Sequence, residues 1–398
     1  MGEAKNEEAR LGRISVIIPC YNDEGTLAMC VESVRRQSFS ASEVIVVDDC
    51  STDGSLQVAE SLNVTVVRPE RNGGPSVARN LGAEHASGTC LFFLDSDVAL
   101  EPGSLAAARD HLARAAGTGA ICGVLDYESL LNDHPLQRYR AIQLHSWWTE
   151  KNGEEGVSEE SSLTGLHSAL FAIRADVFRQ VGGFDTALRV TEEQDLGHRL
   201  RGSGYDVRVT DAIRGRHNHD ASLRVLLPKV LERSRIAGPL GRWRERGVPG
   251  GSRARALAGA LVLSAATAVP LALLLGPSAL LLAATLAALT VLLDHRRHRH
   301  AFRRHGIRFG LYFTGVHMLV NLTAATGTAV GFLEGLLPGR RPGRTAGKAV
   351  LARGDTSGGG GKTDGAAGPS LACLTALGLT SASTVQGNGS GEAEKKNS

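Results

Sequence analysis

The sequence predicts an α/β domain, built on a mostly parallel sheet with helices on both faces and followed by a C-terminal membrane helical region. Three observations carry this. Apolar runs rich in β-branched residues alternate with segments of helical spacing over about residues 12 to 222. A stretch without a single charge, "ALAGALVLSAATAVPLALLLGPSALLLAATLAALTVLL", fills 256–293. From 339 onward Gly, Ser, Thr and Ala dominate, and that tail lacks the apolar density to fold.

Each element follows in order. "ISVIIPC" (14–20) reads as the first strand, bounded by Pro19, and "TLAMCVESVRRQS" (26–38) has helical spacing. "EVIVVDDC" (43–50) is a second strand ending in acids; "DGSLQVAESL" (53–62) reads as a helix and "VTVVRP" (64–69) as a strand. "GPSVARNLGAEHAS" (74–87) reads as a helix, and "CLFFLDSDVAL" (90–100) as a strand closing on Asp95 and Asp97. Strands that are apolar throughout suit a parallel sheet covered on both faces. Such sheets take their ligands at the carboxyl ends of the strands. Tyr21, Asn22, Asp23, Asp48, Asp49, Asp95 and Asp97 all fall just past those ends.

The chain divides into a polar tail (1–12), the α/β domain (13–222), a basic amphipathic linker (223–255), membrane helices (256–337) and the Gly/Ser-rich tail (338–398). Gly276-Pro277 splits 256–293 into two spans of roughly 16 to 20 residues, enough for a hairpin through a ~30 Å hydrocarbon core. The stretch 309–337 carries His317, Asn321 and Glu334 and reads as a third span or an interfacial helix. Basic runs on both sides of the hairpin favour the cytosolic face. The expectation is a multi-pass protein of the inner or plasma membrane, with its catalytic domain in the cytoplasm.

A net charge of +3 points to no polyanionic partner, so no nucleic acid is expected. The six cysteines are scattered without a CxxC pair, which argues against a zinc knuckle or disulfide framework and fits a reducing compartment. The polar N-terminus has no apolar core of a signal peptide, so none is expected to be cleaved. Asp95 and Asp97 raise a question of charge. Two carboxylates at the end of a buried strand repel unless something positive lies between them. Mg²⁺ or Mn²⁺ fills that role and in turn binds a diphosphate. Asp97 capping the next segment is the plainer alternative.

Four segments occur in order: "ISVIIPCYNDEGTLAMCVESVRRQS", "EVIVVDDCSTDGS", "RNGGPSVARNLGAEHASGTCLFFLDSDV" and "VGGFDTALRVTEEQDLGHRL". The series resembles the family 2 glycosyltransferases, whose fold is the Rossmann-like GT-A type, over about residues 14 to 220. The resemblance implies nucleotide contacts from Pro19, Tyr21 and Asp23. It implies a base-reading role for Asp49, chemically suited to an imide N–H such as that of uracil. It implies diphosphate contacts near Gly73, Gly74 and Arg79. It makes Asp97 the direct metal ligand and Asp95 a sugar or metal partner, with His217 and His219 of "RGRHNHD" as candidates to hold the metal or diphosphate; His219 joins the expected metal set.

"TEEQDLGHRL" matches the family's Glu-Asp-x-Asp-Leu element, with Glu193 where Asp is usual. The resemblance makes Glu193 the general base, Glu192 the alternative and Asp195 an anchor of the helix. Asp185 of "GGFDTAL" would face the acceptor. His167 stands where many relatives have the Asn of Gly-Ala-Asn. Trp147 and Trp148 suit a sugar platform, a membrane interface or ordinary packing. The activity so implied is metal-dependent, inverting sugar transfer from a nucleoside-diphosphate sugar to a lipid-linked or envelope-glycan acceptor. Two other readings stay open. The Glu-for-Asp exchange at Glu193 allows a catalytically degenerate glycan-binding scaffold. A nucleotidyltransferase would need a basic signature where "PCYNDEG" is acidic.

Overall fold

The computed structural model describes residues 12–114, 117–131, 134–149, 161–162, 166, 169–188, 191–237 and 277–336. Strands β1 (Ile14–Cys20), β2 (Glu43–Asp48), β3 (Thr65–Val67) and β4 (Cys90–Leu94) lie parallel in the order β3-β2-β1-β4. Helices α1 (Leu27–Arg35), α2 (Ser55–Ser61) and α3 (Pro75–His85) connect them. All five residues of β4 are buried. Side chains alternate along a strand, so Cys90, Phe92 and Leu94 join one core cluster with Leu27, Val31 and Val34 of α1. Leu91 and Phe93 join the other, with Phe171, Phe178 and Phe184. That two-sided burial is why the strands read as unbroken apolar runs.

Past β4 the sheet is mixed. After β5 (Val98–Leu100) and α4 (Ser104–Arg114) come β6 (Thr118–Ser129), α5 (Pro135–Thr149), β7 (Ser161–Ser162), β8 (Leu170–Arg174) and α6 (Ala175–Gln180). Helix α7 (Glu192–Gly202) and strand β9 (Asp206–His217) follow. Strand β8 inserts antiparallel between β4 and β6; β9 is parallel to β6 and antiparallel to β5 and β7. The parallel arrangement expected from the sequence therefore holds for the first four strands and for the β6–β9 pair. Because the order runs β3-β2-β1-β4, chain direction through the sheet reverses between β1 and β4. Crevices at such switch points, outside the carboxyl ends, are where open α/β sheets take ligands. Asp23 follows β1, and Asp95 and Asp97 follow β4, on that crevice.

Helices α8 (Leu223–Ala237), α9 (Pro277–Leu293) and α10 (His295–Leu336) complete the described chain. Gly306 (φ 79°, ψ 175°) breaks α10 in two. A third apolar cluster joins Leu136, Tyr139 and Ile142 of α5 to Leu226 of α8 and to Phe309, Phe313, Val316 and Val320 of α10. The first half of the expected membrane hairpin lies outside the described residues. The second half is α9, whose 17 residues reach only ~26 Å at 1.5 Å each. Among the described residues one helix, His295–Glu334, is long and apolar enough to cross a membrane. A multi-pass arrangement thus gains no support, and the membrane candidate is the stretch first read as a third span or interfacial helix. The reason is physical: apolar density continues past the basic run 295–305, which the charge count had set apart from it.

Candidate active site

The site is built where β1, β2 and β4 end and α7 begins. Leaving β1, Asn22 takes a positive φ of 59°; leaving β2, Cys50 takes 61°; entering α7, Thr191 takes 70°. Non-glycine residues held in the left-handed region carry strain, which collects at functional edges. Tyr21, just past the end of β1, is 49 % exposed and so open to a ligand. Pro19 sits within β1 opposite Val47 and sets the strand end.

Asp49 grips the next loop. Its two carboxylate oxygens accept from the Gly73 and Gly74 backbone N–H groups at 2.8 and 2.7 Å, and its carbonyl accepts from Asn72 Nδ2 at 2.8 Å. Gly74 has φ 83° just before Pro75 opens α3, a conformation only glycine adopts without penalty.

Arg79 lies buried on α3 and uses both arms. Nη2 reaches Asp95 Oδ1 at 2.7 Å and Nη1 reaches Glu192 Oε1 at 3.1 Å. Its charge centre stands 5.4 Å from the Phe184 ring centroid. The expected diphosphate contact is thus, in this structure, a tie between the strand-end acids and the helix of acids. Only a guanidinium presents two such parallel donors in a fixed fork. Its Nε is buried without a partner among the described residues.

Asp23, Asp95 and Asp97 crowd one another. Asp23 Oδ2 accepts from the Ser96 hydroxyl at 2.5 Å. Burial, and then the charges of Asp95 and Asp23, push the Asp97 carboxyl well above the ordinary carboxylate range. Burial, offset by the Ser96 hydrogen bond, also raises Asp23. Such groups gain from a cation among them. Asp97 Oδ2 lies 3.4 Å from His217 Nε2. His219, the histidine expected in the metal set, instead stacks on His217, ring centroids 4.4 Å apart. Positions two apart face the same way along an extended chain, which is why the nearer one takes the acid. Burial drives the His217 imidazole down to about 4 and His219 well below its ordinary value, so both rings stay neutral and can donate a lone pair.

His217 Nδ1 and His219 Nε2 are buried without partners among the described residues. These oxygen donors and a neutral imidazole fit Mg²⁺ or Mn²⁺. Among the described residues no group of three His, Cys, Asp or Glu converges as a complete metal cage. Asp97 and His217, 3.4 Å apart, and the neighbouring Asp95 are the residues that would hold such an ion.

The three acids of α7 separate by partner. Glu192 is buried against Arg79. Asp195 Oδ2 accepts from Arg199 Nε at 2.7 Å one turn on. Glu193 forms no ion pair among the described residues, and burial together with the adjacent Glu192 charge raises it to about 7. Asp185 is exposed and shapes its turn by accepting from Ala187 N at 2.9 Å. His167 and residues 151–160 lie outside the described residues, as do the Trp147 and Trp148 side chains. Sequence reasoning missed the Arg79–Glu192 pair, whose partners are 113 residues apart; an Arg on the helix that closes against two acidic segments was the available signal. It also missed Gln137, whose amide hydrogen bonds to Asn218 and His219.

Residues 15–182 match the model of the glycosyl transferase family 2. An uncharacterized glycosyltransferase of Haemophilus influenzae is 29 % identical over 189 residues, 46 % of this chain and 60 % of that protein. The pre-mycofactocin glycosyltransferase of Mycobacterium tuberculosis is 29 % identical over 230 residues, 57 % of this chain and 47 % of that protein. The chain thus spans about half the length of these curated relatives. Among solved structures, the mannosyltransferase PcManGT of Pyrobaculum calidifontis, in complex with GDP-Man and Mn²⁺, aligns with a TM-score of 0.47 at 18 % identity, covering 82 % of this chain and 88 % of that one.

Proposed function

We propose that this chain is a family 2 glycosyltransferase, a reading supported by the match of residues 15–182 to that family's model, and that it transfers a sugar, with inversion, from a nucleoside-diphosphate sugar to a glycan or lipid-linked acceptor at a membrane. The observation that carries this reading is the Arg79 bridge, which ties the donor-side Asp95 to Glu192 beside the one α7 acid held near neutrality. Donor chemistry and acceptor chemistry are thereby fixed to one another.

The residues divide the work. Tyr21, at the open mouth, stacks on the base, and Asp49 accepts from it while holding Gly73 and Gly74 beneath the diphosphate. Glu193 takes the proton of the acceptor hydroxyl as that oxygen attacks the anomeric carbon from the face opposite the leaving diphosphate. A base acts best when its pKa lies near the working pH, and a value of about 7 suits that. Glu192, neutralised by Arg79, keeps its charge away from the entering hydroxyl. Asp95, Asp97 and His217 would hold Mg²⁺ or Mn²⁺. When bound, that ion supplies charge neutralisation for the departing diphosphate. The membrane-capable helix supports an acceptor presented at a bilayer surface, with the catalytic domain on the cytoplasmic side.

The test is a panel of UDP- and GDP-sugars screened for Mn²⁺-dependent turnover. Asp97→Asn should lose activity on the order of 10²-fold or more. Cation-independent turnover, or an Asp97→Asn enzyme as active as the parent, overturns the metal reading. Absence of donor hydrolysis and transfer with every sugar, despite nucleotide binding, would favour the scaffold instead.

A further inference from the structure

We propose that Gln137 is a positioning residue of the donor site, and that the C-terminal helices hold it in place through a buried Asp294–His317–Tyr139 hydrogen-bond chain. This rests on the metal reading of Asp97 and His217 given above.

Gln137 sits in the first turn of α5 and is 3 % exposed. Its Nε2 donates to Asn218 Oδ1 at 3.0 Å and to the His219 carbonyl at 2.9 Å. Asn218 in turn donates its backbone N–H to the Asp97 carbonyl at 2.8 Å. One amide therefore fastens the residue that lies between the two histidines and is bonded to the strand-end acid. The fastening has a cost. Gln137 Oε1 is left buried with no partner among the described residues, an unfavourable state that an apolar side chain of similar size would avoid.

Helix α5 is gripped on its other side as well. Residues two apart project about 200° apart around a helix, so Tyr139 points away from the donor site. Fully buried, its hydroxyl meets His317 Nδ1 at 3.1 Å. His317 Nε2 meets Asp294 Oδ2 at 2.8 Å, and Arg297 Nη1 lies 3.3 Å from Asp294 Oδ1. Phe313 stacks flat on His317 at 5.5 Å. The break at Gly306 lets α10 turn back so that Asp294 and His317 can meet. Hydrogen-bond partners behind a metal ligand set its orientation and commonly change metal affinity 10- to 100-fold. Buried hydrogen bonds in series, as from Tyr139 through His317 to Asp294, strengthen one another and can transmit that constraint.

The experiment uses the full chain in detergent micelles. Mn²⁺ affinity is read from the electron paramagnetic resonance of free aquo-Mn²⁺, and UDP and GDP uptake by calorimetry at saturating Mn²⁺. Gln137→Met keeps length but removes both donated bonds; it should weaken Mn²⁺ binding about tenfold. Tyr139→Phe removes one hydroxyl and should weaken it severalfold, with the double variant no worse than Gln137→Met alone. If Gln137→Met fails to fold, Asn218→Ala removes one of the same acceptors and should give the same direction. A change in melting temperature with Mn²⁺ affinity kept within twofold of the parent overturns the positioning role. Loss with Gln137→Met but none with Tyr139→Phe overturns the C-terminal brace. Parent protein that binds no Mn²⁺ at all sinks the metal reading, and this inference with it.

Discussion

At the scale of single residues, Glu193 and Arg79 make opposite electrostatic statements. Glu193 is held near 7 by burial and by Glu192, with Arg79 and Arg233 acting to lower it. Transfer should therefore fall as pH drops below about 7, with kcat/KM losing one proton's worth of slope; a flat profile from pH 5 to 8 argues against this base. Stability runs the other way. A carboxyl raised on folding stabilises fully below its ordinary value of 4.5 and loses that contribution as pH rises through about 7. Glu193→Gln should thus cut turnover by about 10²- to 10⁴-fold while flattening this part of the stability profile and leaving UDP or GDP uptake intact. Arg79 is different: removing it strands two carboxylates. Arg79→Ala should cost about 3–5 kcal/mol in denaturant unfolding, as breaking buried pairs does, and Arg79→Lys should recover little because it cannot bridge both acids. Asp95 and Asp97 stand out in the chain because two acids close an apolar strand, and Glu193 was singled out by the resemblance of its segment to the family's acidic element. Their partners do not stand out, since Arg79 and Glu192 are neighbours only through the fold.

At the scale of elements, β4 shows what was legible and why. Five apolar residues followed by acids describe a strand buried on both faces and ending at a site, and that is what it is. Phe93 stacks on Phe171 at 4.9 Å and meets Phe178 and Phe184 edgewise or tilted. Phe93→Ala should cost about 3–5 kcal/mol, measured by chemical denaturation, with no specific effect on nucleotide affinity. The direction of β8 was not legible, because burial pattern is the same for parallel and antiparallel strands. The choice between His217 and His219 was equally hidden: both face one way, and only the register of Val98 opposite His217 decides which meets Asp97. Gly74 belongs to this scale too. With φ 83° and nothing within 4 Å of an added Cβ, Gly74→Ala meets conformational strain alone. It should destabilise by about 1 kcal/mol or more and weaken nucleotide uptake by loosening the loop that Asp49 grips.

Across the whole molecule, composition led to the expectation of a membrane-associated half, and among the described residues one helix, His295–Glu334, is long and apolar enough to cross a membrane. The charge run 294–306 does mark a division: α10 breaks at Gly306, the run's last residue. Exposed Leu311 and Leu333, at 63 % and 61 %, mark its outward face. Replacing both with Arg should lower recovery of the protein with lipid vesicles in flotation, by roughly 2–3 kcal/mol per residue if that face meets the bilayer centre; unchanged flotation removes this helix as the anchor. The hydrogen bond from Tyr139 to His317 spans 178 residues of sequence. At about 5–20 residues per second of ribosomal elongation, the first partner leaves the exit tunnel roughly ten to forty seconds ahead of the second. During that interval the nascent catalytic half exists with a buried-to-be phenol and its apolar neighbours still facing solvent. Polypeptide released before its final third should then be a client of chaperones rather than a smaller working enzyme.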